Sequence, residues 1–170
     1  RETGSFVIRI RARNLTTTGS YNVNLECLFP VASPDAVPLT CGTRSSGRIE
    51  APGVVDLFTF TGQANQIVSL ALASTGGFAT SGNLSSAELV LLAPSGTAVA
   101  TLRSNSQANV VLPQSGMYVI RVSARTLAVV GSYNVNLECL FPAASPDAVA
   151  LAFGTLAGGR MEGPGGVDLF

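Results

Sequence analysis

Three cysteines are the residues of this chain that could do covalent chemistry, by forming a disulfide. Cys27 and Cys139 occupy the same place in two identical stretches of twelve residues, which begin at positions 19 and 131. At the same offset of 112 residues, Cys41 has Phe153 as its counterpart. Two disulfides are therefore open, Cys27–Cys41 and Cys41–Cys139. The alternative is three buried free thiols, because cysteine also packs as a small hydrophobic residue.

Carboxylates are the second group with candidate chemistry, because Ca²⁺ takes six to eight oxygen ligands. Asp35, Glu50 and Asp56 lie near one another in the sequence and are candidate calcium ligands. Their counterparts 112 residues later are Asp147, Glu162 and Asp168. The alternative, which we favour, is that Asp35 caps a Ser-Pro-Asp turn and that Glu50 pairs with the nearby Arg48.

Two Asn-x-Ser/Thr sequences, at Asn14 and Asn83, are candidate glycosylation sites. Both lie in segments whose composition predicts loops. A sequence this short also arises by chance, so each is a candidate only if the protein passes through a glycosylating pathway.

The chain contains no histidine, lysine or tryptophan. Without histidine it has no Ser-His or Cys-His nucleophile and no imidazole zinc ligand, and without lysine it forms no Schiff base. We therefore predict that this chain is not an enzyme and that it has no cofactor apart from the candidate calcium. Charged residues make up 12% of the chain and cancel to a net charge of zero, which predicts no nucleic-acid partner. No apolar run is long enough for membrane insertion.

Apolar and polar residues alternate along the chain, as they do in half-buried β-strands. Residues 6–13 and 21–29 show this pattern and are predicted to pair as a hairpin. That pairing sets the arginines of the first strand beside Asn22, Asn24 and Glu26. Further strands are predicted near residues 47–50, 55–61, 66–73, 87–93, 97–102, 107–112, 117–125 and 132–141. No stretch has a sustained helical period, so the fold class is all-β, an antiparallel jelly-roll-like β-sandwich.

The sequence repeats with a period of 112 residues. Residues 1–58 match residues 113–170 at 37 of 58 positions, which predicts tandem copies of one unit. We divide the chain accordingly into the last two strands of a preceding repeat, a Pro-rich connector, one complete repeat, a second connector and the first strands of the next repeat. The corresponding boundaries are 1–29, 30–45, 46–141, 142–157 and 158–170.

Five short motifs occur in an order that resembles the bacterial pre-peptidase C-terminal domain. They are Gly-Arg-Ile-Glu at 47–50, Val-Asp-Leu-Phe-Thr-Phe at 55–60, the segment 87–96, Gly-Met-Tyr-Val-Ile-Arg-Val at 116–122 and Gly-Ser-Tyr-Asn-Val at 131–135. The resemblance implies a secreted, non-catalytic β-sandwich that accompanies proteases and large surface proteins and sometimes binds calcium or collagen. Members often carry an Asp-x-Asp pair before the third motif, where this chain has Ser85 and Ser86.

We favour the disulfide Cys41–Cys139. In a jelly roll the first strand runs antiparallel to the last, so a cysteine just before the first can meet one near the end of the last. Cys139 also persists in the copy whose connector carries Phe153, which argues against a local partner.

We expect a structural repeat of a secreted extracellular fibre or cell-surface polymer, whose partners are copies of itself joined end to end. The alternative is an adhesive or substrate-binding accessory module of a large secreted protein or protease. The duplicated unit, the stiff Pro-rich connectors and the missing catalytic residue types favour the structural role.

Overall fold

Two β-sheets packed face to face form the fold. The computed structural model describes residues 4–14, 16, 18–78, 87–126 and 128–170. Its nine strands are β1 (Val37–Pro38), β2 (Thr43–Ile49), β3 (Val55–Gly62), β4 (Ile67–Gly76), β5 (Ala87–Leu92), β6 (Ala98–Arg103), β7 (Ser106–Val111), β8 (Gly116–Ala124) and β9 (Gly131–Phe141). Within the described ranges there is no helix long and apolar enough to cross a membrane.

Strands β2 to β9 follow the jelly-roll order predicted from the sequence. One sheet has the order β1-β3-β8-β5-β6, and the other has the order β2-β9-β4-β7. We call them the five-stranded and the four-stranded sheet. The first long strand, β2, pairs antiparallel with the last, β9, from Thr43 opposite Leu137 to Ile49 opposite Gly131. The short strand β1 runs parallel to β3 at the edge of the five-stranded sheet.

The core lies between the two sheets, where the apolar side chains of each alternating strand meet. Burial of these side chains removes apolar surface from water and is the main stabilising contribution to the fold. The largest side chains that are fully buried there include Tyr118, Tyr133, Ile49, Leu70, Leu72, Leu89, Leu91, Leu112, Ile120 and Leu137.

The predicted hairpin between residues 6–13 and 21–29 is wrong. No described residue of 4–14 or 18–29 belongs to a strand. The counterparts of these segments, β8 and β9, are strands but lie in different sheets, with β8 between β3 and β5 and β9 between β2 and β4. Both strands have one apolar face, and placing them in opposite layers buries both faces in one core. Residues 6–13 and 21–29 have no strand of the sandwich beside them, so their backbone groups lack ladder partners.

The region around the connectors also differs from the prediction. Strand β2 begins at Thr43, inside the segment 30–45 that was predicted to be a connector, and that segment also contains β1. Residues 158–170 were predicted to contain strands, but no described residue there belongs to one. The Val149 N–H does donate to the Leu169 carbonyl at 2.9 Å. One such contact is too few for a strand ladder, which needs several neighbouring hydrogen bonds.

Candidate functional site

A disulfide joins Cys41, which precedes β2, to Cys139 in β9, with their Cα atoms 5.3 Å apart. This is the pairing favoured from the sequence, and it is confirmed. It forms because β2 and β9 are antiparallel neighbours, so the start of one lies beside the end of the other. Cys139 is buried in the core, while Cys27 is exposed and has a free thiol.

Tyr133 and Asp56 link the two sheets across the core. Tyr133, on β9 of the four-stranded sheet, is fully buried and donates its hydroxyl hydrogen to Asp56 Oδ2, on β3 of the five-stranded sheet. Its ring also meets Phe58 edge to face, with ring centroids 6.4 Å apart. Gly47 on β2 makes room for this ring, because a Cβ atom there would stand 2.3 Å from Tyr133 Cζ. The sequence analysis did not identify this contact, because its three parts lie far apart in the chain.

Asp56 also has three other carboxylates as its electrostatic neighbours. Burial raises the pKa of Asp56, the hydrogen bond from Tyr133 lowers it in part, and the charges of Glu50, Asp35 and Glu26 raise it further. The same contact raises the pKa of Tyr133, mainly through burial. The structure thus brings the predicted calcium candidates into one neighbourhood. No group of three or more His, Cys, Asp or Glu side chains in the described ranges is placed to hold a metal ion, so calcium binding stays a prediction.

A polar cleft of about 420 Å³ lies on the outer face of the four-stranded sheet, between β9 and residues 158–170. Its floor includes Asn136 and Glu138, both nearly fully buried, and Asn136 Oδ1 and Glu138 Oε2 have no hydrogen-bond partner. Burial raises the pKa of Glu138, and the charge of Asp147 adds to this, whereas hydrogen bonds with Ser145 and Asn136 oppose it. Its charged lining also includes Arg44, Arg160, Glu162 and Asp168.

Sequence reasoning missed the buried state of Asn136 and Glu138. It assigned the matching positions 24 and 26 to a solvated face of a hairpin, because polar residues that alternate with apolar ones normally face water. A signal was present in the chain. Glu26, Asp35, Glu50 and Asp56 recur together as Glu138, Asp147, Glu162 and Asp168. Repetition of all four acids indicated a shared environment more strongly than each acid alone.

The turn that follows each copy of the twelve-residue sequence has the same hydrogen bonds. The Ser33 N–H donates to the Cys27 carbonyl at 2.8 Å, and the Ser145 N–H donates to the Cys139 carbonyl at 2.8 Å. Each serine hydroxyl also accepts from the backbone N–H of that cysteine, at 2.9 Å and 2.7 Å. The chain thus turns in the same way at both places.

A second pair of matching contacts joins each copy to the chain that follows it. Asn22 Nδ2 donates to the Pro52 carbonyl at 3.1 Å, and Asn134 Nδ2 donates to the Pro164 carbonyl at 2.8 Å. Donor and acceptor are 30 residues apart in both cases. Gly165 lies against the four-stranded sheet, since a Cβ atom there would stand 3.1 Å from Ala73 Cβ.

The outer face of the five-stranded sheet carries an apolar patch, which we call the outer patch. It consists of Leu57, Val90, Leu92 and Val119, all buried. Residues from the first turn cover it, namely Leu28, Phe29, Ala32 and Ala36. The segment before the sandwich therefore packs on its surface as well as leading into it.

Of the two candidate glycosylation sites, Asn14 is exposed and Asn83 lies outside the described residues. Asn14 Oδ1 accepts hydrogen bonds from the backbone N–H and the hydroxyl of Thr16. Modification of either asparagine stays a prediction.

No family model and no curated protein matches the sequence. Among solved structures, the fold resembles a pre-peptidase C-terminal domain. That domain, from the collagenase of Bacillus anthracis, is 18% identical over 60% of this chain and 93% of its own, with a TM-score of 0.48. The periplasmic inhibitor of g-type lysozyme from Salmonella Typhimurium is also similar, at 19% identity over 64% of this chain and all of its own, with a TM-score of 0.47. The corresponding inhibitor from Aeromonas hydrophila gives 18% identity, 60% and 95% coverage, and a TM-score of 0.45.

Proposed function

We propose that this chain is a structural repeat of a secreted fibre or cell-surface polymer, in which sandwich units follow one another end to end at 112-residue intervals. The observation that carries the proposal is the matched pair of hydrogen bonds Asn22–Pro52 and Asn134–Pro164. The same donor and acceptor positions meet on both sides of the complete sandwich. A contact that recurs at the period of the sequence supports a defined geometry between successive units.

The covered outer patch supports a stiff array. Leu28 and Phe29 pack against Leu57 and Val119 on the sheet of the following unit. A junction with apolar contacts and hydrogen bonds resists bending, whereas a solvated linker lets domains rotate freely.

The disulfide supports the extracellular setting, because disulfides persist mainly in oxidising compartments. Cys41–Cys139 connects the beginning of the sandwich to its last strand. In an array pulled from its ends, force would enter near the first residue and leave near the last, so the covalent bond would bypass the sheets. Absence of histidine and lysine fits a load-bearing role without catalysis.

Arrays of increasing length test the proposal. The chain would be extended by one, two or three further copies of residues 59–170, and the longest dimension would be measured by small-angle scattering. We expect an equal increment for each added copy. Growth with the square root of copy number is the behaviour of flexibly linked domains and would contradict the proposal.

A variant at the outer patch supplies the matched comparison. Val119→Asp places a charge under Phe29, whereas Thr101→Asp adds the same charge at an exposed position of β6. We expect the first variant to shorten the arrays and broaden their length distribution. The second should leave both unchanged.

A further inference from the structure

Most of the exposed large apolar side chains of this molecule lie in two segments outside the sandwich. Residues 6–29, which we call the leading segment, contain seven, and Phe6 and Leu25 are 79% and 76% exposed. Residues 149–170, the trailing segment, contain six, and Phe153 and Leu156 are almost completely exposed. The full set is Phe6, Val7, Ile8, Ile10, Tyr21, Val23, Leu25, Val149, Leu151, Phe153, Leu156, Met161 and Phe170.

The sandwich contains a close sequence copy of each segment, and there the two copies pair with each other. The leading segment corresponds to β8 and β9, and the trailing segment to β1, β2 and β3. In the sandwich β9 pairs with β2, and β8 pairs with β3, which in turn pairs with β1. The leading and trailing segments therefore have complementary strand sequences, with three strands for one layer and two for the other.

The contact between Tyr133, Gly47 and Asp56 has counterparts divided between the two segments. Tyr21 is in the leading segment, whereas Gly159 and Asp168 are in the trailing segment. Asp168 Oδ2 lies 2.6 Å from where a Gly159 Cβ atom would stand, so β2-like and β3-like residues are already adjacent there. Tyr21 itself is exposed.

The charges of the two segments also have opposite signs. The leading segment has three arginines and one glutamate, and the trailing segment has one arginine and two acidic residues. Opposite net charges favour encounter of one segment with the other over encounter of like segments.

We propose that the leading segment of one molecule pairs with the trailing segment of a second copy, head to tail, in the register of β2 with β9 and β3 with β8. The inference extends the proposed function from copies within one chain to copies in separate chains. The register is specific. Ser45 faces Val135 and Phe58 faces Ile120 in the sandwich, so Ala157 should face Val23, and Phe170 should face Ile8, of the other molecule.

Site-specific cross-linking of the full 170-residue chain tests the register. Both partners carry Cys27→Ser, which removes the exposed thiol and keeps Cys41–Cys139. One partner then carries Val23→Cys and the other Ala157→Cys. The matched control replaces Ala157→Cys with Leu156→Cys, whose side chain points to the opposite face of a paired strand.

We expect mild oxidation of the first mixture to give a dimer whose peptide map contains the 23–157 bond, at least tenfold more abundant than the 23–156 bond in the control mixture. Equal yields of the two bonds, or no cross-linked dimer in either mixture, would overturn the proposal. Neither result would change the growth of covalent arrays with copy number, so the proposed function is tested separately.

Sedimentation velocity gives a second measurement. Tyr21→Asp puts a charge in the apolar face of the leading segment, and Ser20→Asp puts the same charge on its other face. We expect wild type and Ser20→Asp to associate as concentration rises, with a dissociation constant at least tenfold higher for Tyr21→Asp. A wild-type chain that stays monomeric up to its solubility limit, or equal weakening by both substitutions, would overturn the inference.

Discussion

Asp56 shows how a single side chain couples the fold to pH. Burial and the neighbouring carboxylates raise its pKa in the folded protein, so the folded state binds the proton more tightly than the unfolded state does. Its contribution to stability is therefore present at acid pH and is lost as pH rises through the folded-state pKa. The unfolded-state pKa of an aspartate is about 3.9, so the loss begins above about pH 4.

The substitution Asp56→Asn should reduce this pH dependence while keeping an oxygen that accepts from Tyr133. We expect its free energy of unfolding, measured by urea denaturation between pH 3 and 8, to fall less than that of the wild type as pH rises. The exposed Glu162→Gln serves as the control and should follow the wild-type curve. Parallel curves for wild type and Asp56→Asn would show that Asp56 is not responsible. Glu138, whose pKa is also raised, contributes a slope of the same sign.

Gly47 is required for a different reason, which is space. A Cβ atom at this position would stand 2.3 Å from Tyr133 Cζ and Oη, far inside van der Waals contact. We expect Gly47→Ala to displace the ring and destabilise the protein by about 1–3 kcal/mol in thermal or urea unfolding, the usual cost of overpacking. Gly158→Ala is the control, because nothing lies within 4 Å of its added methyl group, and it should change stability little.

At the scale of elements, one sequence of twelve residues has two structures in the same molecule. Residues 131–142 include β9, which has neighbours on both sides, whereas residues 19–30 have no strand pairing. Local propensity is the same in both, so the difference comes from the neighbouring strands. The physical requirement is a ladder partner for each backbone N–H and C=O group.

Hydrogen exchange should report this difference directly. We expect the amides of 132–140 to be protected and those of 20–28 to exchange at nearly unprotected rates in the monomer at low concentration. Peptides that extend into the distinct flanking residues separate the two copies by mass. Equal protection of both copies in the monomer would contradict this description of the strands. Protection of the leading segment that appears only at high concentration would report association.

At the scale of the whole molecule, the disulfide closes most of the sandwich into one covalent loop. Its cysteines are 98 residues apart, and cross-links of loops this long stabilise by about 2–5 kcal/mol, mainly by restricting the unfolded chain in the entropy model. We expect the paired substitution Cys41→Ala with Cys139→Ala to lower the free energy of unfolding by this amount. Cys27→Ala, which leaves the bond intact, should change stability little.

Peptide mapping without reduction checks the pairing itself. We expect alkylation of the native protein to label Cys27 alone and the map to contain one Cys41–Cys139 peptide. A Cys27–Cys41 peptide, or labelling of all three thiols, would show that the covalent loop is not formed.

Much of the fold follows from the sequence alone, because the period-two alternation locates β3 to β9 within a few residues and the persistence of Cys139 opposite Phe153 identifies the disulfide. Alternation tells which face of a strand is buried, but it does not tell which strand is the neighbour. For that reason the hairpin predicted from residues 6–13 and 21–29 was wrong, and the separation of β8 and β9 into two sheets became visible only in the tertiary structure. Burial of Glu138 and the contact of Tyr133 with Asp56 also depended on the packing of distant segments, since burial and pKa are set by what surrounds a side chain in space.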